Sequence, residues 1–371
     1  MKTYKVILTG GHAATTALSV AEEFIKRNNK DGHLWDIYWV GAQKAIEGKN
    51  FPTIESTFFP KMGVKYYSIF TGRLQRKFTL WTIPSLAKIP IGFVHAFAIL
   101  RKIKPDLILS FGGYAAFPVV VIGYLLKVPI ILHDQTVIGN LTNRMSSPFA
   151  TKIALARREC SRIFPKDKTV IIGNPIMSEI INILPKKSLA KVPTIYITGG
   201  SRGSESINNL IEKILPELLR NYIVIHQTGY KDYAKFQKIR SDMPKEIIKA
   251  YKIYSILSYE ELANIYNKAD IVVARGGANT VAEIIVTKRP ALIIPLAVGS
   301  HQEQKENAVF AENYGVAKVL DQEKLTSEKL REEINLLKDN WYSIVDKIRN
   351  KKSPDLLAAS KLVDLIEEVI A

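Results

Sequence analysis

Two stretches of this chain echo two others, and that echo limits the fold more than any other feature. Val6-Ile-Leu-Thr-Gly-Gly-His12 returns as Ile195-Tyr-Ile-Thr-Gly-Gly-Ser201. Lys104-Pro-Asp-Leu-Ile-Leu-Ser-Phe-Gly-Gly113 returns as Lys268-Ala-Asp-Ile-Val-Val-Ala-Arg-Gly-Gly277. Each is a short β-favouring apolar run that stops at a glycine pair, as a buried parallel strand feeding a tight turn does. Helical spacing follows the first turn: residues 13–27 put Ala17, Val20, Ala21, Phe24 and Ile25 on one face. Strand–helix alternation means α/β architecture. A Thr-Gly-Gly turn early and a Gly-Gly turn late in each half imply two Rossmann-like domains with a cleft between them. A length of 371 residues suits two domains. The boundary is placed near Gly173, ahead of a Pro/Lys-rich connection at 184–193. The expected domains are 1–173 with a last helix at 354–371, and 174–353.

The stretch Asp270-Ile-Val-Val-Ala-Arg-Gly-Gly-Ala-Asn-Thr-Val-Ala-Glu283 carries the most chemistry. A strand over 271–273 breaks at Gly276-Gly277, and a helix is expected from Thr280. Strand, glycine turn and helix start make a corner where backbone N–H groups and the helix dipole favour an anion. Arg275 adds a fixed positive charge, and Glu283 is placed to accept hydrogen bonds from a ribose. The corner suits the diphosphate and sugar of a nucleotide. The dinucleotide fingerprint G-x-G-x-x-G is absent from the first turn, which argues against a standard NAD site.

One cysteine, Cys160, excludes a disulfide framework and a Cys-rich zinc site, and reads as a small apolar residue. The six histidines show no metal-ligand spacing, so neither metal nor cofactor is expected. The formal net charge of +17 suits an anionic partner. Its distribution is uneven: no acid stands between Glu55 and Asp106, where nine lysines and arginines fall. Within that segment Phe70, Arg73, Leu74, Arg76, Lys77, Phe78 and Trp81 interleave aromatic and apolar groups with cations. That mixture suits an anionic membrane surface. No nucleic-acid module is recognisable, so nucleic acid is not an expected partner. The apolar region 83–100 contains Pro84, Lys88, Pro90 and His95 and is a poor membrane span.

Further motifs stand in order along the chain: Thr9-Gly-Gly-His12, His133-Asp-Gln-Thr136, Gly139-Asn-Leu-Thr-Asn-Arg144, Gly173-Asn-Pro-Ile176, Gly199-Gly-Ser-Arg-Gly203, His226-Gln-Thr-Gly229, Arg275 to Glu283, and Gln304 with Asn307-Ala308. Over nearly the whole chain this ordered set resembles the family 28 glycosyltransferases of the GT-B fold, above all those that extend lipid I in peptidoglycan synthesis. The resemblance implies metal-independent, inverting transfer of N-acetylglucosamine from UDP-N-acetylglucosamine. The acceptor is lipid I, the undecaprenyl-diphosphate-linked muramyl pentapeptide, so the protein is expected on the cytoplasmic face of the membrane as a peripheral protein. Another lipid-linked or glycolipid acceptor, or a nucleotide-sugar-binding subunit with weakened catalysis, remains an alternative.

Carried over residue by residue, the resemblance gives His12 as the first candidate base and Asp134 as the second, as base or as orienting residue. Thr9, Gly10, Gly11 and Thr136 fall on the acceptor side. Ser201, Arg202 and the turn Gly277, Ala278, Asn279 and Thr280 surround the diphosphate, with Val281 and Ala282 carried over as substrate-binding. Glu283 takes the ribose, Tyr259 lies against uracil, and Gln302 or Gln304 holds the sugar. Departures are visible. Ile7 and Leu8 replace two glycines, Asp134 replaces Glu, and Thr136 replaces Asn. Met177 stands where arginine is common, with Arg202 the candidate to supply that charge. Glu303 stands where Gln or His is usual.

Overall fold

The computed structural model describes residues 2–11, 14–28, 33–42, 54–72, 82–200, 203–296 and 302–371. The chain forms two compact units, Met1–Met177 with Leu357–Ala371, and Ser178–Leu356. Both are Rossmann-like.

The first unit holds a sheet built from β1 (Lys2–Gly10), β2 (His33–Gly41), β3 (Lys65–Ser68), β4 (Leu107–Ser110), β5 (Ile130–Asp134), β6 (Lys152–Leu155) and β7 (Thr169–Ile171). The order is β3-β2-β1-β4-β5-β6-β7 and every pairing is parallel. The second unit holds β8 (Thr194–Thr198), β9 (Ile223–Gln227), β10 (Tyr251–Tyr254), β11 (Ile271–Ala274), β12 (Ala291–Ile293) and β13 (Ala317–Val319). Their order, β10-β9-β8-β11-β12-β13, repeats the first six positions of the other sheet, again all parallel. A parallel sheet is covered on both faces, which is why its strands read as unbroken apolar runs rather than alternating ones. Val6, Ile7 and Leu8 are buried, as are Ile271, Val272 and Val273.

The repeated Lys-x-Asp has a structural cause. Asp106 accepts from the Lys5 backbone N–H at 2.7 Å, and its own N–H donates to the Lys5 carbonyl at 2.8 Å. Asp270 does the same with Thr194, at 2.8 Å in both directions. In each half the aspartate before the fourth strand clamps the first strand and sets the register between them.

Helix Ala14–Arg27 buries Ala17, Val20, Ala21 and Phe24, but Ile25 is 40% exposed and lies off the inner face. The final helix, Ala358–Ile370, belongs to the first unit and packs against Ala14–Arg27. Leu362, Val363 and Ile366 are its buried anchors. Arg27 fastens the pair, donating to Glu23 at 2.9 Å, to the Ser360 hydroxyl at 2.8 Å and to Glu367 at 3.2 Å, with Asp364 at 2.7 Å. Its side chain is only 13% exposed, so these are not freely solvated surface pairs. Arg27→Ala is expected to destabilise the first unit by about 2 kcal/mol, measured as a lower urea midpoint and faster amide exchange in 358–370.

Candidate functional site

In both sheets the strand order reverses between the first and fourth strands, and ligands of open parallel sheets collect at the carboxyl ends beside such a point. In the second unit these ends belong to β8 and β11. Helix Ala278–Thr287 starts two residues earlier than the expected Thr280, with Gly277 as its cap residue in extended backbone (φ −67°, ψ 139°). No side chain caps it, which suits a helix start that receives an anion. The earlier start changes what the turn can offer. Gly277, Ala278, Asn279 and Thr280 are half-buried, whereas Val281 and Ala282 are in the core and the Val281 N–H already donates to the Gly277 carbonyl. The ligand-facing stretch therefore narrows to 277–280.

Gly276 is required by a close approach. A Cβ there would fall 2.2 Å from the Gln304 carbonyl oxygen. Asn307 Nδ2 donates to the Gly276 carbonyl at 3.1 Å, and Gln304 Oε1 accepts from the Leu296 N–H at 3.3 Å. Gln304 thus lies against the glycine corner. Gln302 is exposed and donates to Glu306 at 2.8 Å. Of the two candidates for the sugar, Gln304 has the better position.

Arg275, expected as a fixed charge at this corner, is 5% exposed and turned inward. Its Nε donates to Ser204 Oγ at 2.9 Å, one terminal nitrogen to the Ile294 carbonyl at 2.8 Å, and the other to Ser206 Oγ. Burial pulls its pKa down to about 10, so it stays charged at neutral pH. It ties the β11 turn to the start of helix Glu205–Asn221 and to the end of β12.

Glu283 is 6% exposed, and burial raises its carboxyl to about 7, opposed by one hydrogen bond, from the Tyr266 hydroxyl at 3.0 Å. Tyr259 is the first residue of helix Tyr259–Lys268 and is half-buried. Ser258 and Glu261 form a capping box there, at 3.2 and 2.8 Å, as the Ser-x-x-Glu spacing suggests.

Ser201 and Arg202 lie outside the described residues, but the frame of their loop is visible. Gly203 has φ +73°, and a Cβ on it would fall 2.2 Å from the Thr228 carbonyl. Thr198 Oγ1 accepts from the Gly200 N–H at 2.9 Å and donates to Gln227 Oε1 at 2.7 Å. His226 is buried between Tyr251 Oη and Asn208 Oδ1, both at 3.0 Å, and burial lowers its pKa to about 3. It is a neutral framework histidine.

The first unit converges in the same way at β1, β4 and β5. His12 lies outside the described residues; Thr9, Gly10 and Gly11 lead into it and are buried. The Gly11 N–H donates to the Gly112 carbonyl at 2.9 Å, and a Cβ on Gly113 would fall 2.6 Å from the Gly11 Cα. These glycines let two backbones touch. Asp134 is fully buried and its carboxylate is saturated. Oδ1 accepts from the Thr136 N–H at 3.0 Å and hydroxyl at 2.8 Å; Oδ2 accepts from the Asn140 N–H at 2.9 Å, Asn140 Nδ2 at 3.1 Å and Asn143 Nδ2 at 3.0 Å. A carboxylate held by five donors orients a loop. Thr136 is one of those donors. Its side-chain hydroxyl serves Asp134. His133 is likewise internal, bonded through Nε2 to the Gly173 carbonyl at 3.0 Å.

Of the basic aromatic segment, Arg73, Leu74, Arg76, Lys77, Phe78 and Trp81 lie outside the described residues. Phe70 is 53% exposed, with Lys88 Nζ 5.5 Å from its ring centre. Helix Thr82–Ile103 leaves Ile91, Val94 and Phe97 exposed, and the Arg101 guanidinium stands 5.8 Å over Phe97. No helix among the described residues is long and apolar enough to cross a membrane. Among them no cluster of His, Cys, Asp or Glu is arranged to hold a metal ion.

The glycosyltransferase family 28 N-terminal domain matches residues 6–155, and the family 28 C-terminal domain matches residues 194–368. The chain belongs to glycosyltransferase family 28. Family 28 relatives extend along nearly all of it. A protein of Bacillus cereus (strain ATCC 10987 / NRS 248) is 32% identical over 346 residues, 91% of this chain and 92% of that one. One of Clostridium botulinum (strain Alaska E43 / Type E3) is 31% identical over 382 residues, covering 100% and 98%. Both are named UDP-N-acetylglucosamine--N-acetylmuramyl-(pentapeptide) pyrophosphoryl-undecaprenol N-acetylglucosamine transferase, the first with the suffix 2. Among solved structures, Acinetobacter baumannii MurG superposes with a TM-score of 0.71 at 23% identity, covering 98% of this chain and 99% of that one. UDP-GlcNAc 2-epimerase from Neisseria meningitidis gives 0.68 at 14% identity, covering 98% and 100%. Those two likenesses bear on the fold.

For a family 28 chain, two residues that shape the corners were not singled out from sequence, Tyr266 and Asn208. Nothing in their local pattern marks them, because their partners are 17 and 20 residues away. Gln227 and Asn143 stand within quoted motifs, but their bonds to Tyr196 and Asp134 were not foreseen. Asn140 had a local signal, a cap residue ahead of Leu141–Ser146. Asp134→Asn puts an amide against the Asn140 and Asn143 donors and is expected to cost about 3 kcal/mol, seen as a lower denaturation midpoint.

Proposed function

We propose that this family 28 chain is an enzyme that transfers N-acetylglucosamine from UDP-N-acetylglucosamine to lipid I, with inversion, giving lipid II in peptidoglycan synthesis. The observation that carries the reading is similarity at 31–32% identity over 91% or more of the chain to proteins named for this transfer. The geometry agrees with it at the second unit. Donor binding is assigned to 174–353, with the diphosphate at Gly277 to Thr280, the ribose at Glu283, uracil at Tyr259, and the sugar at Gln304. Ser201 and Arg202 complete the diphosphate site. Acceptor and membrane binding are assigned to 1–173 with 354–371.

The reaction needs two things. A sugar hydroxyl of the acceptor attacks the anomeric carbon, and the bond from that carbon to the diphosphate oxygen breaks as UDP leaves. Charge gathers on the departing diphosphate and must be met by fixed donors. A helix start without a side-chain cap, backed by the buried charge of Arg275, provides them. The attacking hydroxyl must also lose its proton. With both Asp134 oxygens occupied, His12, one residue beyond the Gly11 turn, is the base, and Asp134 is the residue that orients its loop. The family's membrane-bound acceptor gives the exposed Phe70, Val94 and Phe97 a use on the cytoplasmic face of the membrane.

Incubation with UDP-N-acetylglucosamine and a short-chain lipid I analogue should yield the disaccharide product and UDP. Release of an epimer, or of nothing, overturns the reading. His12→Ala should lower turnover by about 100-fold or more with donor affinity retained; near-normal turnover removes His12 as the base. Vesicles containing anionic phospholipid should bind the protein and release it as salt rises. Charge reversal at Arg73, Arg76 and Lys77 to Glu should abolish that binding, and retained binding counts against this face.

A further inference from the structure

Tyr266 stands apart from the turn that faces the nucleotide, yet it makes the hydrogen bond from a side chain to Glu283, at 3.0 Å. The residue is fully buried and fixed at three points. Its carbonyl accepts from Arg289 Nε at 3.0 Å, its ring meets Tyr196 edge-on at 5.5 Å, and its hydroxyl is on the carboxylate. Tyr196 in turn donates to Gln227 Oε1 at 2.8 Å, the same oxygen that receives Thr198 Oγ1 from the base of the Gly199–Gly203 loop. Ribose has a pair of adjacent hydroxyl donors, and only an ionised carboxylate offers acceptors alone to meet them.

We propose that Tyr266 is a positioning residue for ribose recognition, its hydroxyl holding one oxygen of Glu283 so that the carboxylate meets the sugar in its accepting form. This rests on the donor site assigned above. The ionisable groups that act on Glu283 are Tyr266 on helix Tyr259–Lys268 and Tyr196 on β8. The helices Ser178–Ile181 and Gln302–Tyr314, which also pack against Ala278–Thr287, add no charge to it among the described residues. Burial and the Tyr266 hydroxyl oppose each other. Burial favours the protonated acid, and the hydroxyl favours the ion, leaving the group near half-ionised at neutral pH.

The sign of the pH effect follows. Donor that requires the ion binds more tightly as pH rises through about 7 and levels off above it. Removing the hydroxyl leaves burial unopposed and moves that rise to higher pH. The test is calorimetric titration of the full chain with UDP-N-acetylglucosamine, which has no titrating group of its own between about pH 5.5 and 8.5. Tyr266→Phe is expected to move the midpoint up by about one unit. Affinity then falls about fivefold at pH 7, and the gap nearly closes by about pH 8.5. Glu283→Gln should bind weakly at every pH. An unmoved midpoint in Tyr266→Phe, or a loss equal at all pH values, overturns the proposal while leaving the donor site standing. Wild-type protein that binds no UDP-N-acetylglucosamine at any pH overturns both. Thermal melting checks that Tyr266→Phe is folded. A second measurement needs no variant: in two buffers of different ionisation enthalpy at pH 7, wild-type binding should release roughly half a proton, and no release overturns the proposal.

Discussion

Everything at the carboxyl ends of these sheets depends on backbones approaching closer than a side chain permits. Gly113 lies so near Gly11 that any Cβ would overlap it, and Gly276 stands in the same relation to Gln304. Gly203 meets Thr228 and Gly229 in a left-handed conformation that also favours glycine. These contacts bring together loops from strands that are neighbours in the sheet without filling the space above them. An alanine in any of these places would push a loop outward by a carbon radius and move the helix start behind it. Short glycine motifs are weak evidence for a ligand by themselves. Here they first satisfy a packing requirement, and the open corner is its by-product.

The two halves share that scaffold and differ in the charge that fixes it. In the first unit a buried carboxylate, Asp134, gathers backbone and side-chain donors from the loop that follows β5. In the second a buried guanidinium, Arg275, gathers hydroxyls and a carbonyl around the loop that follows β8. Each group is satisfied by neutral partners among the described residues. The acid therefore leaves its loop with a net negative field, and the arginine leaves its corner with a positive one. The arginine expected to add a fixed charge at the glycine corner does so from within, where its charge acts through the loop.

The fold was legible because its signals are local. Apolar runs ending in glycine marked the central strands, Ser258 and Glu261 marked a helix start, and the Lys-x-Asp echo reported an equivalent clamp at Asp106 and Asp270. Much of the candidate site was proposed from ordered motifs, which pointed to Gln304, Glu283 and the Gly276 turn. What stayed hidden was direction. Sequence spacing does not say that Arg275 turns inward, that Val281 and Ala282 lie within the core, or that Asp134 has five donors waiting for it. Those facts depend on where a helix begins to within two residues and on which strand lies next to which. Ile25 failed for a related reason: it is apolar and near the inner face, yet helix Ala14–Arg27 turns it to 40% exposure.

Glu283 shows why the donor corner could not be read from residue types alone. A carboxylate in water is an acceptor at neutral pH, and a motif that contains one invites that reading. Burial at 6% exposure changes the terms, since the charged form loses its hydration and the proton is held to about pH 7. Whether the acid accepts from a ribose or donates to it is then decided by its neighbours. One of them is a tyrosine from a different helix, itself locked by a fully buried arginine, Arg289. Arg289 also donates to the Thr287 and Leu184 carbonyls, so it ties the far end of the same helix to the connection entering the unit. The chemistry of the corner is thus set by a chain of buried polar contacts behind it. That chain accounts for how a corner with few exposed charged side chains can set the protonation of its buried acid.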